Sequence, residues 1–345
     1  MTTNSDRRQR HWRRRSLTVP VTGLALPVLL LFLPATLVLA SLHDLIRGRR
    51  GFPTVRLNGF LIIFLTVQQT AIVVATWHLL RRGTPRGRGG HDSMEAHYNL
   101  KHWWARHLLG WADRLLGIRF EFVDGAQQPP PGPIIVASRH SSMPDAVFPV
   151  LWLLGSDHIT ETRYVLKREL RFEPAIDIVG HRVNSHFVTR GGPDSDTELD
   201  AITALIEDLP DYAAAVIFPE GTYATEARRR RVLERLTTLD HEAAEHVRSL
   251  RHLLPARYRG IFRMIDAAPH ANVVFLGHVG LDHLSSIPKL WGAIPFRESI
   301  QVRTWICRHE DIPADPDARA QWLRDQWSML DTWIDEVHRT RSQPA

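Results

Sequence analysis

The chain has 345 residues, with 43 Lys and Arg against 37 Asp and Glu, and a formal charge of +6. Its hydrophobic share of 44 % is that of a folded protein and leaves room for a sizeable core. One cysteine, Cys307, excludes an intrachain disulfide and a cysteine-based zinc site, and the basic balance points to nucleic acid, anionic lipid or a phosphorylated substrate.

Residues 1–19 form a basic tail, with Arg7, Arg8, Arg10, Arg13, Arg14 and Arg15, and no regular structure is expected there. Beside a membrane such a run favours the cytoplasmic, anionic-lipid side. Residues 20–42 carry no charge. A bilayer crossing needs roughly 20 apolar residues, so the stretch is long enough, with Pro27 and Pro34 as kinks. A signal peptide is the competing reading, but the run is long for one and lacks a small-x-small cleavage site. A basic loop covers 47–56, and a second uncharged stretch covers 58–80. Basic flanks on every side do not orient the spans, so a shallow hairpin stands beside two full crossings. With both ends on one side, the rest of the chain lies on the cytoplasmic face. The expected division is a basic tail at 1–19, a membrane-associated helical hairpin at 20–82, a Gly/Arg/Pro-rich linker at 83–93 and a globular domain at 94–340.

Within that domain, Trp103, Trp104, Leu108, Trp111 and Leu115 share one face of a helix over 94–116. Strands are expected at 119–123, 134–137, 164–167, 213–217, 272–276 and 300–306. Helices are expected at 146–154, 194–209 and 317–337, with a charged helical region at 228–245. This alternation reads as α/β. Strand 134–137 runs into Ser138-Arg-His-Ser-Ser-Met-Pro-Asp145. The C-terminal strand ends are where ligands bind in an open α/β sheet. There a carboxylate can hold one nitrogen of His140 as N–H and leave the other to accept a proton. By itself the pattern also fits a surface turn with an N-capping Asp. The pair His241 and His246 is five residues apart and so faces two sides of a helix, unlike a zinc-protease motif. The arginine run 228–231 reads as a solvated helix face.

A second strand, 213–217, ends in Phe218-Pro-Glu-Gly-Thr222. His140 with Asp145, and this five-residue run, resemble the two signature blocks of the glycerophospholipid acyltransferase family, which includes the lysophosphatidic acid acyltransferases. Residues 164–190 resemble the family's Gly-x-x-Phe-Ile-x-Arg block: Phe187 and Arg190 match, Val188 replaces Ile, and Asn184 stands where Gly is usual. Residues 252–260 resemble a Leu-Pro-Arg-Thr-Lys-Gly element of one branch. The resemblance covers roughly 100–335. It departs at Tyr223, where Arg commonly follows the Thr, and at Arg139, where Asn often precedes the His.

The resemblance implies a glycerol-3-phosphate acyltransferase-like mixed sheet flanked by helices, preceded by the membrane-associated segment, with 94–340 as the acyltransferase domain. It implies transfer of a fatty acyl group from acyl-CoA or an acyl-carrier protein to the hydroxyl of a lysophospholipid, foremost 1-acylglycerol-3-phosphate. His140 would be the general base and Asp145 its orienting acid. No Gly-x-Ser-x-Gly turn is present, so Ser141 and Ser142 read as supporting residues. Arg190 is the first phosphate ligand implied, Glu220, Gly221 and Thr222 would contact the acceptor, and Lys167, Arg257 or Arg259 would supply further charge. No metal or organic cofactor is expected, and the partners are the acceptor, the acyl thioester and membrane lipid. Another lysophospholipid or a glycolipid acceptor is the sister reading, kept open by Tyr223. A non-catalytic lipid-binding protein, a water-using esterase and a nucleic-acid binder are the rivals. The paired motifs argue against the first and the apolar stretches against the last.

Overall fold

A computed structural model of the chain describes residues 4–82, 90–123, 128–142, 145, 147–183, 185–188, 195–222, 224–239, 241–282 and 287–342. The elements in chain order are α1 (Asn4–Leu31), α2 (Leu33–Ile46), α3 (Pro53–Arg82), α4 (Gly90–Trp111), β1 (Phe120–Phe122), β2 (Ile134–Ser138), α5 (Val147–Leu153), β3 (Glu161–Lys167), α6 (Pro174–Gly180) and β4 (Ser185–Val188). There follow α7 (Ser195–Ile206), β5 (Ala213–Ile217), α8 (Glu226–Leu239), α9 (His241–Ser249), α10 (Tyr258–Ala267), β6 (Asn272–Val279), α11 (Ile287–Ala293), β7 (Ile300–Cys307) and α12 (Pro316–Ser342).

The strands form one seven-stranded sheet in the order β1-β7-β6-β2-β5-β3-β4. It is mixed: β2 pairs parallel with β5 and β6, β3 with β5, and β1 with β7, whereas β6 and β7 are antiparallel. The α/β mixed sheet that the resemblance implies is therefore present. β2 and β5 are buried along their whole length, which explains their unbroken apolar sequences. The register Ala137↔Ile217 and Ser138↔Leu276 brings the C-terminal ends of β2, β5 and β6 side by side. His140 and the Phe218–Thr222 run follow from that edge.

The chain forms two compact units. One comprises 120–165, 191–286 and 298–345 and holds most of the sheet. In it α12 packs on β6, where Gly277 admits Trp333: a Cβ there would lie 2.9 Å from the indole ring. Trp327 of α12 is fully buried and donates its indole N–H to Leu254 O at 2.8 Å. Asp331 accepts the backbone N–H groups of Arg251, His252 and Leu253, so α12 fixes the strap that precedes α10.

The other unit comprises 1–119, 166–190 and 287–297. The helical part is thus not confined to the first 93 residues. It also takes in α4, α6, β4 and α11; Ala71, Ile72 and Ala75 of α3 share a core with Tyr98 and Leu100 of α4 and Ala175, Ile178 and Val179 of α6. The basic tail differs from expectation too: α1 is helical from Asn4. Arg14 and Arg15 both bind the Asp177 carboxylate on α6, which gives this charged run an anchor no local pattern announces. Buried Asp44 accepts from Thr54 N at 2.9 Å and Val55 N at 3.2 Å, capping the first turn of α3 and fixing the α2–α3 hairpin. Among the described residues two helical stretches are long and apolar enough to cross a membrane, 13–31 and 53–81. Most of the expected linker, 83–89, lies outside the described residues.

Candidate active site

His140 emerges two residues after β2, and its Nδ1 lies 3.3 Å from Asp145 Oδ2. Asp145 is fully buried. Its Oδ2 also accepts the N–H groups of Ser141 and Ser142, and its Oδ1 accepts the Ser142 hydroxyl. Burial alone would raise this carboxyl, but His278, His140 and Ser142 outweigh it and hold Asp145 below the ordinary carboxylate range. Ser142 thus spends its hydroxyl proton on Asp145, a supporting role. The Phe218 ring packs on His140 with centroids 4.9 Å apart.

Glu220 is buried and bridges two loops. Its Oε1 accepts His140 N at 2.7 Å and its Oε2 accepts Leu254 N at 3.0 Å. Burial pushes the carboxyl up to about 8 against the pull of these donors. Both oxygens serve the backbone, so Glu220 shapes the site from beneath. Gly221 turns the chain with φ +72, a left-handed conformation that suits glycine. A Cβ there would lie 3.2 Å from the Arg257 guanidinium carbon. Arg257 donates its backbone N–H to Pro219 O at 3.0 Å, and its exposed side chain has no ion-pair partner among the described residues. It is therefore a cation laid against the Phe218–Thr222 turn. Thr222 follows half-buried, and Tyr223 lies outside the described residues. Arg259 pairs with Asp196 at 2.6 Å, away from this turn's hydrogen bonds.

Lys167 is the last residue of β3 and is counted with the helical unit. Arg190 lies outside the described residues. Arg139 is buried: it binds His278 O and the Asp282 carboxylate, so it is a structural cation rather than an exposed anion ligand. Against the rise that burial alone would cause, Arg139 holds Asp282 far below its ordinary range. Two residues escaped the sequence reading, His278 and Asp282. The signal for His278 was a lone imidazole in the apolar run 273–279 of a strand that turns out central. No cluster of three metal-ligating side chains occurs among the described residues.

An imidazole oriented by a buried carboxylate, at the ends of adjacent parallel strands and beside a glycine turn, can take a proton from a bound hydroxyl. The sequence model of the Acyltransferase family matches residues 119–274. No curated protein matches the chain. Among solved structures, the chain is similar to the 1-acyl-sn-glycerophosphate (LPA) acyltransferase PlsC from Thermotoga maritima. The two are 13 % identical with a TM-score of 0.48, over 80 % of this chain and 96 % of that one. Residues 119–274, which carry His140, Asp145 and the Phe218–Thr222 block, form an Acyltransferase-family domain, in keeping with the glycerophospholipid acyltransferase resemblance of those motifs.

Proposed function

We propose that this protein is a membrane-attached O-acyltransferase that moves a fatty acyl group from an acyl thioester to the free hydroxyl of a lysophospholipid, foremost 1-acylglycerol-3-phosphate. The observation that carries this reading is the His140–Asp145 pair held against the Phe218–Thr222 turn by Glu220. His140 Nε2 takes the acceptor's hydroxyl proton as the new C–O bond forms at the thioester carbonyl. Asp145 keeps the proton on Nδ1 and stabilises the imidazolium. As the C–S bond breaks, the imidazolium returns its proton to the departing thiolate. No residue is acylated, and no cofactor enters the steps.

The acceptor phosphate needs a cation. By resemblance Arg190 is the first ligand. Arg257, without an ion-pair partner among the described residues and resting on Gly221, supports a second contact. Acyl-CoA or acyl-carrier protein would be the donor. Exposed apolar side chains on α1 and α2, among them Leu24, Leu39, Leu42 and Ile46, support attachment to lipid, and the basic start of α1 supports a cytoplasmic face.

The test is thiol release from long-chain acyl-CoA by detergent-solubilised protein, with lysophosphatidate, other lysolipids, a glycolipid or no acceptor, and the product identified by mass. Release that requires lysophosphatidate and yields phosphatidate is expected. Release with another lysolipid alone would move the headgroup assignment, and release without acceptor would make the protein a thioesterase.

A further inference from the structure

We propose that His278 is a positioning residue for the reaction: it backs Asp145 through the carboxylate oxygen that His140 does not use. This rests on the acyl-transfer reading of His140 given above. His278 Nε2 lies 3.5 Å from Asp145 Oδ1, while His140 Nδ1 lies 3.3 Å from Oδ2, so one buried carboxylate stands between two imidazoles.

His278 is fully buried in β6, and among the described residues neither ring nitrogen has a partner within ordinary hydrogen-bond distance. Burying an unpaired imidazole is costly, and a leucine of similar bulk would pack there without that penalty. Among the described residues, the carboxylate beside its Nε2 is Asp145, at 3.5 Å. The ring is also prevented from turning away. Phe148 stacks on it with centroids 4.2 Å apart and planes 23° from parallel. Arg139 holds the His278 carbonyl and Asp282, and Asp282 in turn accepts Gly280 N at 3.1 Å, so the backbone that follows the ring is tied down. This gives Arg139, the residue before His140, a purpose: it ties the end of β2 to the end of β6 and so aims the second imidazole.

The consequence is chemical. An Nε2–H on His278, 3.5 Å from Oδ1, sets positive partial charge beside that oxygen, which favours Oδ2 facing His140 and draws charge from the carboxylate. Burial lowers the proton affinity of His278 against the pull of Asp145, which weakens it as a competitor for the substrate proton. The charged and titratable groups around the pair are Asp145 and Glu220 at His140, Asp145, Arg139 and Asp282 at His278, and His338 of α12 at 3.8 Å from Asp282. Without the His278 N–H, Asp145 holds the His140 proton more tightly.

Full-length His278→Leu and His278→Gln test this, because Gln keeps an N–H near Nε2 and Leu does not. The first readout needs no substrate: the pH midpoint for diethyl pyrocarbonate modification of His140, followed by peptide mass spectrometry. The second is kcat and KM for acyl transfer. The Leu variant is expected to raise the midpoint by about one pH unit, the scale of one hydrogen bond to a charged group, and to lower kcat by about tenfold with KM unchanged. The Gln variant is expected to stay near wild type in both. A folded Leu variant with wild-type midpoint and kcat overturns the proposal, as does equal loss in both variants with no midpoint shift. If the Leu variant does not fold, the Gln variant decides: wild-type values support the proposal, and a loss of kcat in the folded protein contradicts it. A shifted midpoint in a protein that transfers no acyl group would refute the acyl-transfer reading and leave the His140–Asp145–His278 relay standing.

Discussion

Glu220 concentrates at one residue what the site asks of the fold. Its two oxygens hold the loop of His140 and the strap of Leu254, and burial pushes its carboxyl up to about 8 from an ordinary 4.5. Because the folded state keeps the proton longer than the unfolded state, this group's stabilisation is complete below about 4.5 and is lost as pH rises through about 8. Glu220→Gln cannot ionise. Relative to that variant, the wild type should lose stability of order a few kcal/mol between pH 5 and 9 in denaturant melts. A difference that does not vary with pH contradicts the assignment. His140, Asp145 and Glu220 were legible because each sits in a short motif just past an apolar strand run. His278, Arg139 and Asp282 were not legible as a group. Their separations of 139 and 143 residues are closed only when β6 takes its place beside β2.

At the scale of elements, the docking of α1 depends on one carboxylate. Asp177 is buried on α6 and bound by Arg14 and Arg15. Burial would raise its carboxyl, but His181 and Arg15 prevail and hold it down at about 2. A depressed carboxyl stabilises fully above its unfolded value near 3.8 and loses that contribution as pH falls through about 2, so the clasp is constant at neutral pH. Asp177→Asn should speed amide hydrogen exchange in residues 13–20 by about tenfold at pH 7, the loss of one or two charge-assisted hydrogen bonds. Unchanged protection would show that apolar packing alone docks the helix. Six of the seven strands were legible as apolar runs, within three residues at their ends, whereas β4 was not expected. The helical tail was not, because its arginines are paired some 160 residues away. The charged region expected as one helix is two, α8 and α9. α6 was missed although its signal was present: Glu173 caps it, accepting from Ala175 N and Ile176 N, and Pro174 opens it.

At the scale of the whole molecule, the proposed attachment to lipid can be assigned to particular helices. α2 has 14 residues, about 21 Å of helix, short of the roughly 30 Å of a bilayer core. It nonetheless exposes Leu39, Leu42 and Ile46, a pattern that fits a shallow interfacial helix better than a crossing. Leu39→Glu with Ile46→Glu should lower binding to anionic vesicles at least about tenfold in flotation and leave the melting temperature unchanged, since both side chains face out. Binding that persists would place the contact on other helices. The basic composition, legible from the start, fits the same anionic surface, although Arg14, Arg15, Arg139 and Arg163 are spent on internal carboxylates.

The most direct test of the central assignment is product formation by His140→Ala beside wild type, with acyl-CoA and lysophosphatidate at saturating concentration. Removing a general base is expected to cost a hundredfold or more, roughly 10²–10⁴, with the melt unchanged. A His140→Ala protein that still makes phosphatidate at the wild-type rate would show that another residue takes the proton.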